Sequence, residues 1–476
     1  MKRSPRVAVA CLALLLCAGV APAQEDARVL PRGYLALRVG GEFTQFDSRR
    51  GGGSEGDALG APFATPFPAT RFPTLNATRD SLAGFFRASA RPGDSFALGA
   101  DDFFLGNLGV ELAADQRRVP ISIEAGLARR LMLRLTVPVV RQETELVSLR
   151  LADAALGFNS SPDSLTARLR RIDTTLVRFG RLPYVPVAGS RAGLEMQRRF
   201  TLATGDTTSL PLPTTGLGRT RLDALLQANS RSELPIGSAP ENYRLGDVEL
   251  AAKLQLLGGT GGALSPRQTG TRLALEAGVR IPTATGTDVD SLTEVVGDEG
   301  HAGAAAALFA DVPLGRRLWV AARARYGLLL ARDVERVTWN PQEPWDSLGP
   351  ARTFSREPDA RLEAALAPTF QLTDQLALTA RYAFARVGET TYEGQPDPGS
   401  APAAFAGLES TAVQSLQTLG IGMGYSTLGA FVERRTSIPL ELWLNYDTAV
   451  TGSGGAPDVG VVRLTGRIWV PAWGGR

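Results

Sequence analysis

The chain has 476 residues, 44% of them hydrophobic and 21% charged, with 51 basic residues against 48 acidic ones. Both cysteines, Cys11 and Cys17, fall in an N-terminal stretch that reads as a secretory signal: Lys2, Arg3 and Arg6, an apolar run over residues 7–20, then Ala21-Pro22-Ala23, with cleavage expected before Gln24. A lipoprotein is disfavoured because Cys17 follows Leu16 rather than a small residue and Cys11 would leave almost no hydrophobic segment before it. The expected mature chain has no cysteine and equal numbers of the two charges, which argues against a disulfide scaffold, a zinc centre and nucleic-acid binding through a bulk positive field.

The longest later apolar run, residues 302–310, is well short of the ~20 residues that a spanning helix needs. Alternation with a period of two is what recurs, and it places successive side chains on opposite faces of a strand. In YLALRVGGEF, Leu35, Leu37, Val39 and Phe43 share one parity and Arg38 and Glu42 the other. A first long loop is predicted over 48–102, whose residues 48–80 are rich in Gly, Pro and Thr and read as irregular. The next two strands are VPISIEAGL, with Ser122 and Glu124 opposite Val119, Ile121 and Ile123, and RLMLRLTVPVV, with Arg134 and Thr136 opposite Leu133, Leu135 and Val137. Only Ala128-Arg129-Arg130 separates them.

Residues 143–243 are predicted to be a long, partly helical loop that caps the barrel mouth or plugs it. Pro162 suits a first helical turn, Leu165, Leu169, Ile172, Leu176 and Phe179 form one stripe, and Gly180 ends it. A second short helix is predicted around Leu222, Leu225 and Leu226. Strands resume with GDVELAAKLQLL, where Glu249, Lys253 and Gln255 oppose Leu250, Ala252 and Leu254, and RLALEAGVRIP, where Glu276 and Arg280 oppose Leu275 and Val279. Seven more follow over 302–312, 318–330, 360–370, 376–384, 413–425, 440–448 and 461–470.

The pattern predicts an all-β protein: a transmembrane antiparallel barrel of about twelve strands, in a range of about ten to fourteen, occupying residues 24–476 after a signal peptide over 1–23. Short and long connections roughly alternate, as periplasmic turns and external loops do in outer-membrane barrels. A secreted sandwich or propeller is the soluble alternative. The Leu, Val and Ala ladders, and the charges of both signs at strand centres, favour lipid outside and a polar lumen inside.

At RLGDVELAAKLQLL and LEAGVRIPTATG, the chain resembles the outer-membrane transporter family associated with the meta-pathway of phenol degradation. The matching features are Leu245-Gly246-Asp247 opening a strand, Lys253 within it, and Ile281-Pro282-Thr283 with Gly286 closing the next. EAGLARRLMLRLTVPVV looks like a hairpin of the same kind of barrel. The resemblance covers about residues 117–142 and 243–290 through short motifs, and implies an outer-membrane barrel passing small, often hydrophobic or aromatic, compounds. In contrast to the aromatic end usual in such barrels, this chain finishes GRIWVPAWGGR, and Pro471 is expected to weaken the pairing of the last strand.

His301 is the only histidine, so a Ser/His hydrolase would have to use it, and a wet lumen or rim position without catalysis is the expectation. Asp288, Asp290, Glu294, Asp298 and Glu299 offer oxygen ligands of the type calcium favours, but without the glycine of a helix-loop-helix site, and read as a solvated loop. Arg168, Arg170, Arg171, Arg178 and Arg181 suit lipopolysaccharide phosphates or the drawing-in of anionic solutes, or simply a polar helix face. Trp339 and Trp345 suit stacking on a ring or packing within their own loop. Gly420, Gly422 and Gly424 remove side chains from one face of a strand, making room for a neighbour's side chain, a loop or the pore. Trp319, Tyr382, Trp443, Tyr446 and Trp469 are expected in interfacial girdles.

The predicted function is an outer-membrane channel or facilitator for passive uptake or efflux of small solutes, hydrophobic or aromatic ones among them, in a Gram-negative-type envelope. The alternative is a closed structural or adhesive barrel whose loops bind a ligand or surface partner. No enzyme activity, metal or cofactor is expected. Outer-membrane lipid, lipopolysaccharide, a solute and the barrel assembly machinery are the expected partners, and nucleic acid is not. The residues predicted to line the lumen and set selectivity are Arg134, Glu249, Lys253, Glu276, Arg280, Arg323, Arg325, Arg361, Glu363 and Arg381.

Overall fold

A computed structural model describes residues 26–51, 57–64, 66–69, 72–90, 96–229, 242–258, 270–284, 300–336, 352–394 and 412–472. The signal sequence, the acidic loop over 288–299 and the Trp339/Trp345 pair lie outside them. Twelve long strands pair antiparallel in sequence order: β1 Tyr34–Phe46, β2 Phe104–Gly126, β3 Leu131–Ala152, β4 Val248–Leu257, β5 Arg272–Ile281 and β6 Gly303–Pro313 in the first half. The second half comprises β7 Leu318–Leu329, β8 Arg361–Gln371, β9 Leu376–Val387, β10 Gln414–Ser426, β11 Leu440–Ser453 and β12 Gly460–Pro471. β12 returns to β1, in register from Tyr34 opposite Pro471 to Gly41 opposite Leu464, and closes the barrel.

The alternation read from the sequence maps onto this cylinder. Leu37, Ile123, Leu135, Leu250, Leu275, Leu308, Leu366, Leu378, Leu419, Leu444 and Ile468 all face outward and are exposed. A monomer in water would not leave so continuous an apolar surface, whereas hydrocarbon requires one. Closure also satisfies every strand edge, as a wall without water demands. Among the described residues no helix is long and apolar enough to cross a membrane.

The last strand is better held than its sequence suggests. Pro471 sits at the final paired position, where a missing N–H interrupts no ladder, and the Ala472 N–H still donates to the Gly33 carbonyl at 2.8 Å. Residues 143–152 are also not loop. They continue β3 and pair with β2 as far as Asn107 opposite Ala152, so this hairpin rises beyond its neighbours. A register shift at Glu111/Leu112 breaks the period there, which hides the strand from a strict alternation test.

The projecting hairpin carries a cap. Helices α1 Asn76–Ala88, α2 Pro162–Leu169, α3 Val177–Gly180, α4 Arg191–Thr204 and α5 Arg219–Ala228 enclose one apolar core. Phe67, Phe72, Phe85, Phe179, Phe200 and Leu222 are essentially fully buried there, against Leu105 and Leu108 of β2. The core runs on to Ala449 and Val461 of the barrel rim, which seats the cap on one side of the mouth. The single helix expected over 162–180 is in fact broken after Leu169. The Asp173 carboxylate accepts from the Thr175 N–H and starts a new turn, letting Phe179 point into the core. α1 lies partly in the segment read as irregular, and neither α1 nor α4 was predicted.

Arg199 of α4 is buried and bonds Glu195 at 2.7 Å, the Phe86 carbonyl and Ser89 Oγ, thereby tying α4 to the end of α1. Arg198 and Arg199 hold the Glu195 carboxyl below the usual carboxylate range. Thr208, with Arg171, does the same for Asp206. Carboxyls depressed in the folded state stabilise it above their unfolded pKa, roughly 4, and lose that contribution as pH falls through their folded values. Amide exchange, corrected for intrinsic rate, should therefore rise in residues 191–210 between pH 7 and pH 3 relative to the barrel strands. Equal protection at both values would contradict this.

Candidate functional site

The lumen has three levels. At the barrel end where Tyr34 pairs with Pro471, residues 26–33 turn into the barrel and form a stopper. Lys253 Nζ donates to the Asp26 carbonyl at 2.6 Å, the Ala27 N–H donates to Asp311 at 3.0 Å, and Arg28 donates to both Glu441 oxygens at 2.9 and 3.1 Å. Val29 and Leu30 pack with Met132, Trp469 and Leu428, the last from the short helix α6 Leu428–Val432. Ala27 packs with Ala274, Ala307 and Phe309, and Lys253 lies 3.7 Å from the Phe309 ring centroid. Every buried polar group in this list meets a partner, as burial requires.

The middle level is built of ion pairs. Arg134 bonds Glu276 at 2.7 Å, Arg361 lies 2.7 Å and Arg323 3.4 Å from Glu363, and Arg467 contacts Glu124. Asp447, 1% exposed, accepts from Arg381 at 3.0 Å and also from Arg463. Across β10, Gly420, Gly422 and Gly424 leave the space that Asp447, Asn445 and Trp443 of β11 occupy. A Cβ on Gly420 would come within 1.9 Å of Asp447 Oδ1. The glycine stripe thus makes room for a neighbour's side chains, one of the alternatives its parity allowed.

Bordered by several of these paired residues, an open cavity of about 360 Å³, with an adjoining lobe of about 140 Å³, is lined by charged and small side chains. Its outer edge is held by Asp247, whose carboxylate accepts from the Arg280 guanidinium at 2.9 Å and from the N–H groups of Ala284 and Gly300. Thr283 bonds Gly246 and Val248 beside it. The Leu-Gly-Asp and Ile-Pro-Thr motifs therefore clasp the root of one outer loop. His301 works in the same way. Nδ1 lies 3.0 Å from the Leu330 carbonyl and Nε2 2.7 Å from Arg356, so both ring nitrogens are taken up in loop contacts.

All ten residues predicted for the lumen project inward. Nine line the cavity, and Lys253 is instead committed to the stopper. Prediction missed Arg118 and Asp447. Both were accessible by extending the period, since Arg118 shares parity with Ser122 and Glu124, and Asp447 with Glu441. The girdle assignment is corrected for the tryptophans: Trp443 and Trp469 are buried, and Trp319 packs against Trp443 and Ala377 on the inner side. Their parity with inward charges, Glu441 and Arg467 among them, dictates this. Tyr382 and Tyr446 do face outward and are exposed. In the arginine cluster of the cap, Arg171 bonds Asp206 at 2.6 Å and Arg168 bonds Thr208, while Arg170, Arg178 and Arg181 are exposed.

No protein-family model matches the chain, and no curated protein matches it. Among solved structures, an outer membrane channel from Pseudomonas putida F1 is similar at 10% identity and a TM-score of 0.45, over 95% of this chain and all of that one. The Pseudomonas putida toluene transporter TodX is similar at 10% identity and a TM-score of 0.29, over 92% and 89%. The transport unit of the autotransporter AIDA-I from Escherichia coli is similar at 7% identity and a TM-score of 0.34, over 98% and 100%. Likenesses this weak do not bear on what the chain does.

Proposed function

We propose that this is an outer-membrane channel, exported through the signal sequence at residues 1–23, that passes small solutes passively through its lumen. The observation that supports it most is the open, charge-lined cavity inside a closed barrel, between stopper and cap. The ten lumen residues would set field and hydration along the path, and the cap would filter at the mouth. The exposed arginines of the cap suit lipopolysaccharide phosphates.

A second reading, a closed barrel whose cap binds a ligand or surface partner, draws on the stopper and on the cap seated over one side of the mouth. Single-channel recording of the full mature chain in planar bilayers separates the two. Steady conductance, with a reversal potential that shifts in Arg323→Ala or Arg325→Ala, is the expected result. A folded, heat-modifiable but silent barrel would instead favour the binding protein.

A further inference from the structure

Resting on the channel reading, the lumen also indicates the kind of solute. The larger lobe is lined by Arg38, Arg118, Arg134, Arg323, Arg325, Arg361, Arg381 and Arg463, against Glu42, Glu249 and Glu363. Asp447, Glu124 and Glu276 from the wall behind them reduce the imbalance without removing it, because Arg467 also shares Glu124. An excess of fixed positive charge in a narrow, poorly solvated space concentrates anions.

Two of these guanidiniums are not consumed by wall contacts. Arg118 on β2 and Arg325 on β7 approach from different strands, and each lies 3.8 Å from one oxygen of Glu249, beyond hydrogen-bond distance. Among the described residues neither guanidinium makes a hydrogen bond. Both are partly open, with side chains 42% and 34% exposed. One carboxylate thus holds apart two forks that each have donors to spare, and the trio carries a net positive charge.

Beside it one stretch of the smaller lobe's wall is made of the small residues Ala251, Gly278, Gly303, Ala305 and Gly327, set between charged side chains such as Glu276, Arg280 and Arg361. A Cβ on Gly327 would meet nothing closer than 3.9 Å, so the wall borders free space there. A small apolar patch within a charged lobe, next to paired guanidiniums, suits one chemistry: a carboxylate, bound in forked geometry, on a compact apolar body.

We infer that the lumen holds a binding station for small organic carboxylates, in which Arg118 and Arg325 grip the anion, the Ala/Gly wall takes the apolar body, and Glu249 is the resident anion that the solute displaces. Calorimetric titration of the detergent-solubilised mature chain with benzoate and with its uncharged analogue benzamide tests this without relying on transport. Benzoate should bind at least about tenfold more tightly than benzamide, Arg118→Gln and Arg325→Gln should each weaken it about tenfold or more, and Glu249→Gln should strengthen it. Heat-modifiable mobility verifies the fold of each variant, and if either arginine variant fails to fold, Glu249→Gln still decides. Equal binding of the two probes, no benzoate binding, or weaker binding in Glu249→Gln would overturn the station. Benzoate binding in a protein that conducts nothing would instead keep the station and remove the channel.

Discussion

Removing residues 26–32 should raise single-channel conductance about threefold or more, because these residues occupy the lumen at the end where β1 begins and β12 finishes. Their loss takes away Val29 and Leu30 from between Met132 and Trp469, and Ala27 from against Phe309. It also releases Lys253, Asp311 and Glu441 from their bonds to the stopper, leaving charges of both signs facing the opened space. Water entering there solvates them, so the barrel should still fold, with the outward ladders and all twelve pairings untouched. Unchanged conductance in the shortened chain would place the constriction elsewhere, in the ion-pair level or under the cap.

What the sequence made legible depended on how the fold repeats. Leu131 to Val139 read correctly because a strand between lipid and lumen must alternate at every residue, and the same rule put all ten charged candidates inside. The stopper was invisible because Ala27, Val29 and Leu30 show no period of their own; they become buried only once a cylinder surrounds them. The cap was half visible for a related reason. Helix α5 announced itself by Leu222, Leu225 and Leu226, whereas α1 lies in a Gly/Pro-rich context and packs Phe85 and Phe86 against partners about a hundred residues away, such as Phe179 and Arg199. Partner choice across the lumen, Arg381 with Asp447 or Arg134 with Glu276, depends on strand neighbours and tilt, which parity does not encode.

The largest stability loss from a single substitution in the wall should come from Asp447→Ala. Its carboxylate is the shared counter-ion of Arg381 and Arg463, whose side chains are 24% and 15% exposed. Without it two partly buried guanidiniums face each other, with only Glu42, 3.9 Å from Arg463, left beside them. Breaking a buried pair in this way costs about 3–5 kcal/mol, and access to water from the cavity places the expected loss near the lower end, about 3 kcal/mol. Urea unfolding in detergent, followed by tryptophan fluorescence, should show a lower midpoint at unchanged slope. Asp447→Asn should behave similarly despite its matching shape, since the charge is the point. Adding Arg381→Ala to Asp447→Ala should recover part of the loss, a coupling that independent sites would not show. A midpoint equal to that of the parent chain would mean that the triad contributes nothing.

Lys253 is the only lysine beyond position 2 in the sequence, and it is 5% exposed with its Nζ held by the stopper's Asp26 carbonyl. The protein therefore carries a single side-chain amine where the stopper enters. Acylating reagents that ignore guanidinium groups can reach that amine only when the stopper has left it, so the extent of modification at one residue becomes a direct clock of how often the lower lumen opens.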